Sequence, residues 1–218
     1  MLYARSWYLD VICPEWGAVV EGDYTRIMPV IFRKKWGMAY LFQSYHAQQL
    51  GVFSAAPVTP PQVEAFLQAI PRQFRWVDMK LNHGNTIAEN GFRVVSHKNF
   101  ELALNAPYAQ LAAAYATNVR RNLRKAQAMD LVVACGENDH GDMVALFRAN
   151  KGQQLHMLDE RYYATLDRIL TAARQRDLLE VWSVRHPQKG LLGGGIFLRG
   201  DGRLIFLLNI TTAEGKAS

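Results

Sequence analysis

Apolar positions near the start of the chain fall at Leu2, Leu9 and Ile12, with Trp7 and Tyr8 between them, which predicts a short helix over 2–12 stopped by Pro14. β-type segments follow at Ala18–Glu21, Arg26–Arg33, Met38–Gln43 and Gln49–Phe53 and predict strands, with Gly22-Asp23 as a hairpin turn between the first two. Pro60-Pro61 suits a helix entry, and Val63, Phe66, Leu67 and Ile70 then recur at helical spacing. Phe74–Met79 and Phe92–Leu104 look like strands. Asn105-Ala106-Pro107 opens a long helix over about 108–129, whose apolar stripe is Tyr108, Leu111, Tyr115, Val119, Leu123 and Ala126. Leu131–Ala134 reads as a short strand, 140–151 as a helix, and 160–175 as a helix capped by Asp159, with Tyr162, Leu166, Ile169, Leu170 and Ala173 inward. Three strands close the pattern, Leu179–Val184, Leu191–Leu198 and Leu204–Ile210, joined by turns at 186–190 and 200–202.

This succession predicts an α/β (α+β) protein with mixed, largely antiparallel sheets flanked by helices. Asn105–Pro107 is the best joint, so the expected domains are 1–105 and 106–218. Half of the 218 residues are apolar, an ordinary globular composition that can bury a sizeable core. No apolar run approaches the ~18 residues of a spanning helix, and no secretory signal pattern opens the chain. Cys13 and Cys135 form no C-x-x-C pair, so reduced thiols in a cytoplasmic protein are expected, with neither a disulfide framework nor a metal site. The six histidines share no metal-ligand spacing, and no nucleophile elbow, phosphate loop or dinucleotide fingerprint is present. Gly193-Gly194-Gly195 lies inside a strand pattern, where close packing or a bulge explains it better than a phosphate cradle.

The net charge of +6 favours polyanions weakly: nucleic acid, nucleotide, CoA or an anionic membrane surface. The charge is densest in Asn118-Val119-Arg120-Arg121-Asn122-Leu123-Arg124-Lys125-Ala126. On a helix, Arg120 neighbours Arg124, and Arg121 neighbours Lys125; like charges at that spacing repel unless acidic partners or a bound anion compensate. Two readings stay open: a solvated helix face, or an anion site in which arginine forks meet phosphate or carboxylate.

The same segment, N-x-R-R-N-L-R-K-A, resembles the helix that opens the second half of FemAB-type proteins, members of the GNAT superfamily of acyltransferases. Trp7-Tyr8-Leu9-Asp10, Cys13-Pro14, Trp16, Met28-Pro29, Lys35 with Gly37, Gln48-Gln49-Leu50-Gly51 and Asn209–Lys216 resemble the bacterial methicillin-resistance-protein-like group of that branch. The resemblance spans nearly the whole chain and rests on the order and spacing of short motifs. It implies two GNAT-like halves in tandem, the second lacking its closing elements, so that an exposed sheet edge would promote a homodimer. It also implies transfer of an acyl or aminoacyl group to an amine by direct attack. The donor would be acyl-CoA as co-substrate, favoured here because no coiled-coil arm for tRNA is visible, or else aminoacyl-tRNA. The acceptor would be a small-molecule amine or a peptidoglycan precursor.

On the same resemblance, Leu204–Ile210 is the donor strand, and Asn209, Thr211, Thr212, Glu214, Gly215 and Lys216 form the donor-side turn. Gly152–Asp159 lies at the acceptor side, where His156 could deprotonate an incoming ammonium. Arg120, Arg121, Arg124 and Lys125 would meet phosphates of a carrier or of tRNA. The competing functions are a non-catalytic RNA or polyanion binder acting through 118–125, and an inactive fragment. Tyr108 and Tyr115 fall on the apolar stripe rather than among the arginines, which argues against a base-stacking platform.

Overall fold

The computed structural model describes residues 1–88, 91–136, 140–155 and 158–217. After a 3-10 turn at Leu2–Ala4, the chain runs α1 (Ser6–Ile12), β1 (Gly17–Glu21), β2 (Arg26–Val30), β3 (Phe32–Lys35), β4 (Met38–Leu41), β5 (Phe53–Ser54), α2 (Pro60–Gln68) and β6 (Phe74–Val77). It continues with α3 (Tyr108–Ala113), α4 (Thr117–Gln127), β7 (Val132–Cys135), α5 (His140–Phe147) with a π-helical extension Arg148–Gly152, α6 (Glu160–Arg174), β8 (Leu179–His186), β9 (Gly190–Gly200), β10 (Arg203–Thr211) and α7 (Ala213–Ala217). The architecture is mixed α+β, with three mostly antiparallel sheets flanked by helices. Two compact units result: Met1–Asn99 with Glu160–Ala172, and Phe100–Asp159 with Ala173–Ser218.

The first unit holds two three-stranded sheets, ordered β1-β2-β5 and β3-β4-β6. One strand was expected over Arg26–Arg33, but the chain changes sheets at the buried Ile31. Pro29 is tolerated in β2 because β5 pairs only with Arg26 and Ile27, so no partner on that side asks Pro29 for an N–H. Met28, Val30, Leu41, Val52, Phe66 and Phe74 pack into one core. The expected strand Gln49–Phe53 is reduced to the two residues of β5 and one bridge, Leu50 to Leu81. Side-chain amides replace the ladder there: Asn82 Nδ2 donates to the carbonyls of Leu50 (3.0 Å) and Val52 (3.1 Å), and Asn85 Oδ1 accepts the Val52 N–H at 2.7 Å. The expected strand Phe92–Leu104 is absent: among the described residues no strand pairs with the segment, and Phe100 is 89 % exposed.

The second unit is built on one antiparallel sheet, ordered β10-β9-β8-β7. Its three long strands and turns follow the predicted meander. Val181, Ser183, Ile196, Leu198, Leu208 and Ile210 are buried, and α5 packs on β9 and β10 with Met143 and Phe147 inward. A bulge between Phe206 and Leu208 puts Phe206 and Leu208 on opposite faces of the sheet. The single helix expected over 108–129 is two helices, broken at 114–116, and the predicted stripe is not buried: Tyr108, Val119 and Leu123 are exposed.

Candidate functional site

The second unit places four glycines where a side chain would crowd its neighbours. A Cβ on Gly194 would collide with the Trp182 carbonyl oxygen and lie 2.8 Å from the Met143 sulfur. A Cβ on Gly193 would stand 2.8 Å from the Ile210 carbonyl oxygen, and one on Gly215 would collide with that of Leu192. On Gly195 it would crowd the rings of Phe197 (2.9 Å) and Phe206 (3.0 Å), which stack on each other at 4.7 Å between centroids. The glycine run is therefore close packing, as the strand pattern suggested, and Gly193 and Gly194 also line a cleft.

That cleft, about 660 Å³, opens where α4, the middle strands and the end of β10 face one another. Its helical wall is Asn122, Lys125 and Ala126, with Met129 just beyond. The β10 wall is Phe206, Asn209, Ile210 and Thr211, and the start of α7 adds Gly215 and Lys216. An apolar hollow of about 380 Å³ shares Val184, Gly194 and Phe206 with it, and extends over Trp182, Gly195, Phe197 and Leu204.

Thr212 fixes the junction between β10 and α7. Its N–H donates to the Leu192 carbonyl at 2.9 Å and its hydroxyl to the same oxygen at 3.1 Å, while the Gly215 N–H donates to Thr212 Oγ1 at 2.9 Å. Thr212 is buried and holds the turn rather than lining the cleft; Glu214 does not line it either. Of the residues expected to meet the donor, Asn209, Thr211, Gly215 and Lys216 come together at the cleft with Lys125. Arg120, Arg121 and Arg124 are exposed on α4 outside its lining. None of these arginines, nor Lys125 or Lys216, forms an ion pair with a described residue, so no acidic side chain there offsets the like-charge pairs along α4. His156 lies outside the described residues. Pattern reading missed Asn122, Ala126, Met129 and Phe206 as lining residues. Only the helical spacing of three and four that places Asn122 beside Lys125 and Ala126 on one side could have signalled the first two.

Residues 113–217 match a family model described as an acetyltransferase (GNAT) domain. No curated protein and no solved structure matches the chain. The matched stretch contains the whole cleft wall, from Asn122 to Lys216. The second part of the chain is thus similar to a GNAT acetyltransferase domain.

Proposed function

We propose that the chain is an N-acyltransferase of the FemAB-like branch, taking an acyl group from acyl-CoA to an amine, with the donor in the cleft between α4 and the end of β10. The carrying observation is that Lys125 and Lys216, neither ion-paired with a described residue, line one cleft with Asn122 and Asn209. Its volume falls within the roughly 300–1,000 Å³ of small-molecule sites. Lys125 and Lys216 neutralise the donor's phosphates, and the two asparagines offer amide donors and acceptors to its polar groups. As the outermost strand of its sheet, β10 presents backbone N–H groups that β9 does not use. One of them, near Asn209–Thr211, polarises the acyl carbonyl and stabilises the oxyanion formed as the amine attacks. As the oxyanion collapses the C–S bond of the thioester breaks, CoA leaves as a thiolate, and the proton shed by the amine ends on that sulfur; the family resemblance gives His156, outside the described residues, the role of carrying it.

The exposed arginines of α4 favour one second reading, aminoacyl-tRNA as donor or RNA as ligand, since they continue the positive surface beyond a CoA-sized cleft. Thermal unfolding with increasing CoA and acetyl-CoA separates the two. Acyl-CoA binding to the folded chain raises stability by RT ln(1 + [L]/Kd), about 2.7 kcal/mol at a hundredfold excess over Kd, and the Lys125→Ala/Lys216→Ala variant loses most of the rise. No rise with either ligand, together with salt-sensitive binding of tRNA, overturns the CoA assignment.

A further inference from the structure

The β3–β4 hairpin of the first unit carries a feature that donor binding does not use. Lys35 pairs with Met38, so Trp36 and Gly37 alone make the turn, with φ of 51° and 77°. Both residues of such a two-residue turn need positive φ, a demand that Asn, Asp or Gly meets at little cost and a tryptophan meets only against steric strain. The strained indole is also 85 % exposed, so packing does not explain it. Met38 beside it is exposed, and Arg33, Lys34 and Lys35 lead up to it.

The neighbouring strand extends the surface. β6 runs parallel to β4 with Ala39 opposite Phe74, so the start of β6 lies at the hairpin end of the sheet. Arg72 and Arg75 lie there, with Trp76 69 % exposed and Val77 exposed after it. No acidic residue occurs in 31–42 or 71–77, and none of these five cations is ion-paired with a described residue.

We infer that this end of the β3-β4-β6 sheet docks on an anionic lipid surface, with Trp36 and Met38 entering the headgroup region and Arg33, Lys34, Lys35, Arg72 and Arg75 meeting lipid phosphates. Tryptophan is the side chain that settles at a membrane–water boundary, and lysine stems lie along apolar matter while their ammonium groups stay in water. Each cation near an anionic surface adds to the attraction. The composition of the patch favours lipid over nucleic acid. Lys35 Nζ sits 4.5 Å over the Trp36 ring, occupying a face that a stacked base would need, and Met38 and Val77 have no face to stack on.

Co-sedimentation of the full chain with vesicles tests it, using phosphatidylcholine alone and phosphatidylcholine mixed with phosphatidylglycerol. The expected result is binding to the mixed vesicles only, weakened by salt, with a blue shift of tryptophan emission. Lys34→Gln/Lys35→Gln lowers partitioning roughly thirtyfold. Trp36→Asn, which relieves the turn strain and leaves thermal stability intact or higher, weakens binding and removes much of the blue shift. The inference is overturned by equal binding to both vesicle types, by binding to neither, by RNA binding without vesicle binding, or by variants that bind vesicles like the parent.

Discussion

His46 shows what burial does to a single ionisable group. It is 6 % exposed, its ring stacks on Tyr162 at 4.4 Å, and its Nε2 lies 3.2 Å from the Tyr162 carbonyl oxygen, while the Tyr8 hydroxyl donates to the His46 carbonyl at 2.6 Å. Burial lowers its pKa to about 4, against the opposing hydrogen bond to Tyr162 and with help from the Arg168 charge. The folded chain thus holds the imidazole neutral where the unfolded chain, at 6.5, already binds a proton. The stability this contributes is complete above pH 6.5 and is lost as pH falls toward 4, up to about 3 kcal/mol in total. Urea unfolding between pH 7 and 5, above the range where ordinary carboxylates titrate, should show the decline, and His46→Gln should flatten it. Gly194 makes a second prediction. Alanine there meets the Trp182 carbonyl and the Met143 sulfur, so Gly194→Ala should cost about 1–3 kcal/mol in urea melts. The glycine run was legible as close packing because it interrupts an apolar strand. The burial of His46 was not legible, because a lone histidine carries no periodic signal and its partner Tyr162 is distant in sequence.

At the scale of elements, β8, β9 and β10 were readable because apolar-rich runs of strand length are bounded by turn residues at 186–190 and 200–202. Phe92–Leu104 has strand-like residues as well but is no strand, since such residues do not specify a partner. The break between α3 and α4 was invisible for the opposite reason: Ala114-Tyr115-Ala116 contains neither glycine nor proline to mark it. The charge pattern of α4 separates its two proposed roles. Replacing Arg120, Arg121 and Arg124 together by alanine should leave CoA affinity within about threefold, since none lines the cleft. It should also remove salt-dependent RNA binding, and raise the melting temperature slightly by relieving two like-charge pairs worth about 0.2–0.5 kcal/mol each. Titrations of CoA and of tRNA on this variant check both statements. A large loss of CoA affinity would move the donor's phosphates from the cleft onto the exposed face of the helix.

At the scale of the molecule, each unit builds its own sheets, and the proposed donor cleft belongs to the second alone. The donor-side turn and the basic helix were named from sequence because a family resemblance tied them together; nothing in spacing alone places Lys125 beside Lys216 across 90 residues of chain. The outermost strand β10, with Leu204 and Phe206 exposed, predicts self-association. Light scattering should report a mass rising with concentration, and Phe206→Lys should hold the chain monomeric. The most direct test of the central claim is an amide NMR titration of the chain with acetyl-CoA. The donor-cleft account predicts that shifts concentrate at Asn122–Ala126, Gly193-Gly194 and Asn209–Lys216. Shifts confined to the first unit, or none at saturating ligand, would contradict it.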